Sequence, residues 1–155
     1  MKAIVEWFKT CKPEPTQKDV VVQMGVHFEE VAEMLEALLK PDSVRGDTLL
    51  HLHRAHQTMS LLATHFKTNP KEVPLEDMDT DVQEMLLDSI VDQAVTGIGI
   101  CTFLNQDYNG ALLEVNRSNY SKFDDTGKPV FLANGKIGKS ANYVKPNLKP
   151  FLGQN

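Results

Sequence analysis

The stretch that decides the fold is HFEEVAEMLEALL, residues 27–39. Val31, Leu35 and Leu38 within it, with Val20 and Met24 upstream, recur at helical spacing and predict one long helix. Thr16 is placed to cap its N-terminus, and Pro41 stops it just after Lys40. The same stretch carries E-E-x-x-E. Glu29 and Glu33 are four apart, and Glu30 and Glu33 three apart, so carboxylates crowd one side of the helix. Like charges so placed repel. A divalent cation would compensate, and oxygen donors of this kind suit magnesium. An isolated cluster of this type is more often a solvated acidic face than a metal site.

Working outward, Ala3–Cys11 predicts a short helix bearing Trp7 and Phe8, ended by Pro13 and Pro15. Those aromatics suit either stacking on a base or, more commonly, core packing. Downstream, a helix is expected from about Asp47 to Phe66 with Leu49, Leu52, Leu61 and Leu62 upon it. The loop TNPKEVPLEDMD follows, broken by Pro70 and Pro74. Asp81 and Glu84 then form a capping-box pair. Val82 to about Leu104 predicts a long, largely buried helix, weakened by Gly97 and Gly99. A further helix is expected from about Tyr108 to Tyr120.

Beyond Phe123, Asp125–Gly127 and Asn134–Gly135 are turn signals, the second set between VFLA and KIG as in a small hairpin. The last stretch, YVKPNLKPFLGQN, is punctuated by proline and expected to be extended. The fold class is therefore all-α, a four- to five-helix bundle with a C-terminal hairpin or extended arm. With 155 residues the expectation is one domain, residues 1–123 forming the bundle and 124–155 an arm of it.

Composition narrows the function classes. A net charge of -5 argues against general nucleic-acid binding. No uninterrupted apolar run approaches the roughly 20 residues of a membrane span, and the first residues hold no long apolar core of a secretory signal. Cys11 and Cys101, far apart and outside metal-type spacing, read as reduced thiols of a cytoplasmic protein. Charge is unevenly placed: the balance is -10 up to Glu114 and +5 from Val115 onward. An acidic body with a basic tail suits a metal-bound polyphosphate, and a solvated basic tail fits the same numbers.

Two more constellations bear on chemistry. Asp88 and Asp92 sit one turn apart in the otherwise apolar LLDSIVDQAVTGIGIC. Aspartate is a poor helix-interior residue, and a buried carboxylate needs a partner, which points to a metal or an ion-pair network. In EVNRSNYSKF, residues 114–123, Arg117, Asn119 and Lys122 offer a planar fork, an amide and a point charge near a helix end. Arg and Lys are natural phosphate partners, though a polar helix end has the same look.

Three other motifs carry less. ANGKIGKS, Ala133–Ser140, fits a loose P-loop pattern, but the short, proline-broken sequence after it has no room for the following helix. In HLHRAH only His53 and His56 share a helix face, so His51 does not complete a three-way metal site. DMDTD has Val82 where a calcium loop needs Gly, and it reads as a helix-capping loop.

Taken with their order, these residues resemble the all-α NTP pyrophosphohydrolase superfamily, which includes MazG-like proteins and phosphoribosyl-ATP pyrophosphohydrolases. That family's pattern is E-x-x-E on one helix and E-x-x-D on a later one. Glu30 and Glu33 match the first, with Glu29 as an extra acidic position, and Asp92 matches the last residue of the second. Position 89 is Ser rather than Glu, and Asp88 stands in its place one residue earlier. The R-S-N-x-S-K core, Arg117–Lys122, resembles the C-terminal segment of the MazG-like members, many of them bacterial or phage proteins.

The resemblance implies hydrolysis of a nucleoside triphosphate, ribo or deoxy, to its monophosphate and pyrophosphate. Metal ligands would be Glu30, Glu33, Asp88 and Asp92, binding Mg2+ with Mn2+ as a substitute. Glu29, Glu30 and Glu33 would be the catalytic carboxylates, with Glu29 or a metal-bound neighbour orienting water. Arg117, Asn119 and Lys122 would grip phosphate or ribose. It also implies a homodimer or homotetramer in a cytoplasm, a host's if phage-encoded, with no nucleic-acid or membrane partner. A phosphoribosyl-ATP substrate and a silent nucleotide-binding regulator are the alternatives.

Overall fold

The computed structural model describes residues 1–132 and 137–153. Five α-helices carry the chain: α1 Lys2–Cys11, α2 Gln17–Leu39, α3 Gly46–Thr68, α4 Thr80–Phe103 and α5 Tyr108–Tyr120. Short 3-10 turns occupy Pro70–Glu72, Leu75–Asp77 and Lys149–Phe151. Among the described residues there is no strand, only two isolated antiparallel bridges. The all-α expectation is met, and every predicted helix exists within about two residues of its expected bounds.

Internal packing divides the chain into two compact units, Pro15–Met78 and a second built from Met1–Glu14 with Asp79–Asn155. One boundary falls among Pro13, Glu14 and Pro15, the other at Met78–Asp79 after the Pro70 and Pro74 loop.

The first unit is an α2–α3 pair. Thr16 caps α2 in a full capping box with Asp19, satisfying two backbone donors reciprocally. Small residues line the seam: Gly25, Ala32 and Ala63 are buried beside Val21, which is fully buried. A side chain at Gly25 would put its Cβ 2.9 Å from the Ala63 carbonyl oxygen, so glycine lets the two backbones approach. Phe28 and Phe66 close one part of the seam edge to face, 5.4 Å between centroids. Past α3, Glu72 bonds His65 Nε2 at 2.8 Å, and Gln17 donates to Val73 O and to Glu76, tying the loop back.

In the second unit α1 lies on α5 and the arm. Trp7, Cys11 and Phe123 form its buried cluster, with Ile137 packed against it. Trp7 stacks on Phe123 at 6.1 Å, and Tyr120 donates its hydroxyl to Ala3 O. Trp7 thus takes the core fate, whereas Phe8 is 43% exposed. The arm is held along α5 rather than loose. Ser140 Oγ donates to Ser121 O, Val144 N–H to Ser121 Oγ, and Asp107 N–H to Phe151 O. Asp124 gathers Thr126 and Lys128 into a turn completed by Gly127 at φ +76°. Bridge pairing of Phe131 with Ile137 flanks the expected hairpin, whose Asn134–Gly135 turn lies outside the described residues.

Two expectations for α4 change. Its cap is Asp79, which accepts from Val82 N–H, and Asp81 becomes a first-turn acid instead. Both aspartates precede the apolar run, so the local signal was ambiguous by two residues. Nor is α4 buried: none of its residues is, and Met85, Leu87, Val91 and Val95 are all more than half exposed. Apolar composition predicts burial only where something lies on top, and within its unit α4 meets little beyond α5. It is also the described helix whose length and composition alone would let it cross a membrane, although no uninterrupted apolar run does so. Asp88 and Asp92 in its middle would be expensive in hydrocarbon.

Candidate functional site

On α2, Glu29, Glu33 and Glu36 are spaced four and three apart and project into one open groove against α3. Ala32 and Ala63 form its floor, and His56, Ser60, Thr64 and Lys67 its α3 wall. Because the helices run antiparallel, the groove has a graded chemistry. Lys67 pairs with Glu29 at 2.7 Å, and Lys67 is only 13% exposed along its side chain. At the other end Glu36 accepts from Lys40 Nζ at 2.6 Å, which holds its carboxyl below the ordinary carboxylate range, aided by the charge of His56.

Glu33 therefore sits between two acids that already have cationic partners. Glu30, a further 100° round the helix from Glu29, does not line this groove. Sequence spacing grouped Glu29, Glu30 and Glu33; the fold groups Glu29, Glu33 and Glu36. Glu36 was legible as the next i+3 acid after Glu33. Lys67 and His56 were not legible as its neighbours, since they come from another helix.

Asp88 and Asp92 belong to the other unit. With Asp81 and Glu84 they form one acidic stripe along α4, spaced three, four and four residues apart. Asp81, Glu84 and Asp88 flank a shallow depression with Met85. Neither Asp88 nor Asp92 has a side-chain hydrogen bond or ion pair among the described residues. Of those residues, no three His, Cys, Asp or Glu side chains converge as a metal-ligand group. The carboxylates that α2 contributes to its groove, Glu29, Glu33 and Glu36, are oxygen donors of the kind magnesium takes.

At the end of α5 the predicted phosphate grip is tied into the fold. Arg117 donates its Nε and Nη2 hydrogens to Glu114 at 2.7 and 2.8 Å, a bidentate pair three residues apart. Glu114 also accepts the Asn147 backbone N–H at 2.8 Å, and Arg117 Nη2 reaches Lys145 O at 3.4 Å. The Arg117 fork and the Asn147 amide hold the Glu114 carboxyl down to about 2. Lys122 Nζ donates to Asn119 Oδ1 at 2.8 Å and lies 5.7 Å from the centre of the Trp7 ring. Beneath it, burial pushes the Cys11 thiol up to about 11 against the charge of Lys122, which favours the protonated thiol over the nucleophilic thiolate. Glu114 was missed from the sequence, although its i, i+3 spacing to Arg117 was available there. Of the P-loop-like stretch, Ala133–Lys136 lie outside the described residues.

Comparison with protein-family models, with curated proteins and with solved structures returned no match to any of them.

Proposed function

We propose that this chain is a magnesium-dependent pyrophosphohydrolase of nucleoside triphosphates, of the MazG-like all-α type its motifs resemble. The observation that carries the reading is the α2 groove, where Glu29, Glu33 and Glu36 line one wall and Lys67 stands opposite. Acid and base placed so close suit a ligand that is itself a metal-neutralised anion.

In this reading Glu30 and Glu33 supply metal-binding carboxylates on α2, and Asp88 and Asp92 are the metal ligands that the motif resemblance implies on α4. When bound, magnesium neutralises phosphate oxygens and the charge developing on the pyrophosphate leaving group. Glu29 accepts a hydrogen bond from the attacking water. Lys67, paired with Glu29 at 2.7 Å, orients it for that task. Arg117, Asn119 and Lys122 bind phosphate or ribose. The apolar breadth of α4 supports a homodimer or higher oligomer, since such a surface is rarely left in water. The composition supports a cytoplasmic setting.

A panel of canonical and modified ribo- and deoxynucleotides plus phosphoribosyl-ATP, with pyrophosphate and orthophosphate read separately, tests this. The expected products are a monophosphate and pyrophosphate, abolished by a chelator and restored by Mg2+ or Mn2+. Orthophosphate release sinks the pyrophosphohydrolase reading, and no turnover at all sinks the enzyme reading. A second reading, a silent nucleotide-binding regulator, is favoured by the Glu29–Lys67 pair, which engages the carboxylate assigned to water. Magnesium-dependent nucleotide binding without turnover selects it.

A further inference from the structure

Glu114 holds three groups at once. Its Oε2 takes Arg117 Nε, and its Oε1 takes both Arg117 Nη2 and the Asn147 amide. The pairing consumes one edge of the guanidinium. The remaining nitrogen, Nη1, has no partner among the described residues. Arg117 is 45% exposed along its side chain against 18% for Glu114, so the guanidinium is the more open partner; Nη2 also reaches Lys145 O at 3.4 Å, which leaves Nη1 as the available donor. A free arginine of this length samples many rotamers. Here the plane is set from behind, and through Asn147 the same carboxylate fixes the arm beside it.

We propose that Glu114 is a positioning residue for the nucleotide. It fixes the Arg117 guanidinium so that the Nη1 edge is presented, already ordered, to a phosphate group. This rests on the reading of Arg117 as a phosphate partner and adds a residue to it. Two effects of Glu114 oppose each other. Its negative charge repels an incoming phosphate, but the pair is partly exposed and that repulsion is screened. Ordering Arg117 in advance removes a cost that binding would otherwise meet. Geometry therefore predicts a net gain from Glu114, whereas simple charge counting predicts a loss. The Arg117 fork keeps Glu114 ionised throughout the physiological range, so the clasp does not open there.

The test is binding of a panel of non-hydrolysable α,β-methylene nucleoside triphosphates with magnesium. Titration calorimetry would compare full-length wild type, Glu114→Gln, Glu114→Ala, Arg117→Ala and the Glu114→Ala/Arg117→Ala double variant. Arg117→Ala should weaken binding about 10- to 100-fold, the worth of a charge-assisted contact. Glu114→Ala should weaken it about 3- to 10-fold, the ordering of one long side chain, and Glu114→Gln by less. The double variant should bind no more weakly than Arg117→Ala alone, because toward the phosphate Glu114 acts through that side chain. Tighter binding by either Glu114 variant would mean that Glu114 quenches Arg117, and overturns the proposal. So does full additivity in the double variant. If Glu114→Ala proves unstable, Glu114→Gln, which keeps an acceptor for Asn147, carries the same sign test. Unchanged binding by Arg117→Ala removes the phosphate role of Arg117 and the proposal with it. No binding by the wild type overturns the functional reading itself.

Discussion

Helices α2 and α4 are nearly equal in length, and each bears acids on one face and apolar residues on another, yet they meet opposite fates. Opposite its partner helix α2 places Gly25 and Ala32, so backbones close in and Val21 and Ala63 are fully covered. On α4 the stripe Leu86, Ile90, Ala94, Gly97 and Cys101 has similar spacing, yet none of its residues is buried. Apolar periodicity thus specifies a face that wants cover. Whether cover exists is decided by residues elsewhere in the chain or by another molecule.

The sharpest way to probe this comparison is through the acids. Glu33→Gln should cut magnesium-dependent turnover on the order of 100-fold, the scale of losing a group that acts in the transition state. Far-ultraviolet circular dichroism should remain unchanged, since a charge leaves a crowded face. Asp88→Asn, on the helix without internal cover, should instead raise the magnesium concentration needed for half activity. Near-normal kinetics in Glu33→Gln would remove α2 from the site, and an unchanged metal titration in Asp88→Asn would remove Asp88.

Next in size is one substitution made at two glycines. At Gly25 a methyl group meets the Ala63 carbonyl at 2.9 Å and Lys67 and Phe66 carbons at 3.0 and 3.1 Å. Overpacking there outweighs the helix propensity gained, so Gly25→Ala should destabilise by about 1–2 kcal/mol. The melting temperature should fall by several degrees. At Gly97 nothing lies within 4 Å, so Gly97→Ala should stabilise by about 0.5–1 kcal/mol through helix propensity alone. A loss of stability at Gly97, or a change of oligomeric state on sedimentation, would show that something packs closely on that face in solution.

The smallest expected effect concerns pH. Glu114 is held down to about 2 from an ordinary 4.5, first by Arg117 and then by the Asn147 amide. A depressed carboxyl stabilises the folded state above its unfolded value and loses that contribution as pH falls. The clasp on the arm should therefore weaken between about pH 4.5 and 2. Fluorescence of Trp7, the chain's one tryptophan, stacked on Phe123 where the arm begins, reports it. Glu114→Gln should flatten the change in that window, and a wild-type titration curve in that variant would assign it to another group.

Helix α5 was legible to the residue, and α1 to α3 nearly so, because their limits are written locally. Thr16 and Asp19 cap each other three residues apart, and Asp107 reaches Gly110. Where two local signals compete, as Asp79 and Asp81 do before α4, pattern alone picked the wrong one. The candidate site was half legible. Spacing found Glu29 and Glu33 but grouped them with Glu30, because E-E-x-x-E is compact in sequence while the groove follows the α2–α3 seam.

By itself, then, the sequence determined an all-α chain, its helix limits, its acidic body and its basic arm. These rest on contacts three or four residues apart and on composition. Only tertiary structure decided that Lys67 faces Glu29 across 38 positions, that Arg117 is held by Glu114 while Asn147 closes the arm, and that α4 stays uncovered in its unit. Those outcomes depend on which backbones approach closely enough to share a seam. That approach turns on small residues such as Gly25 meeting Ala63, a complementarity between distant segments that no single stretch of sequence contains.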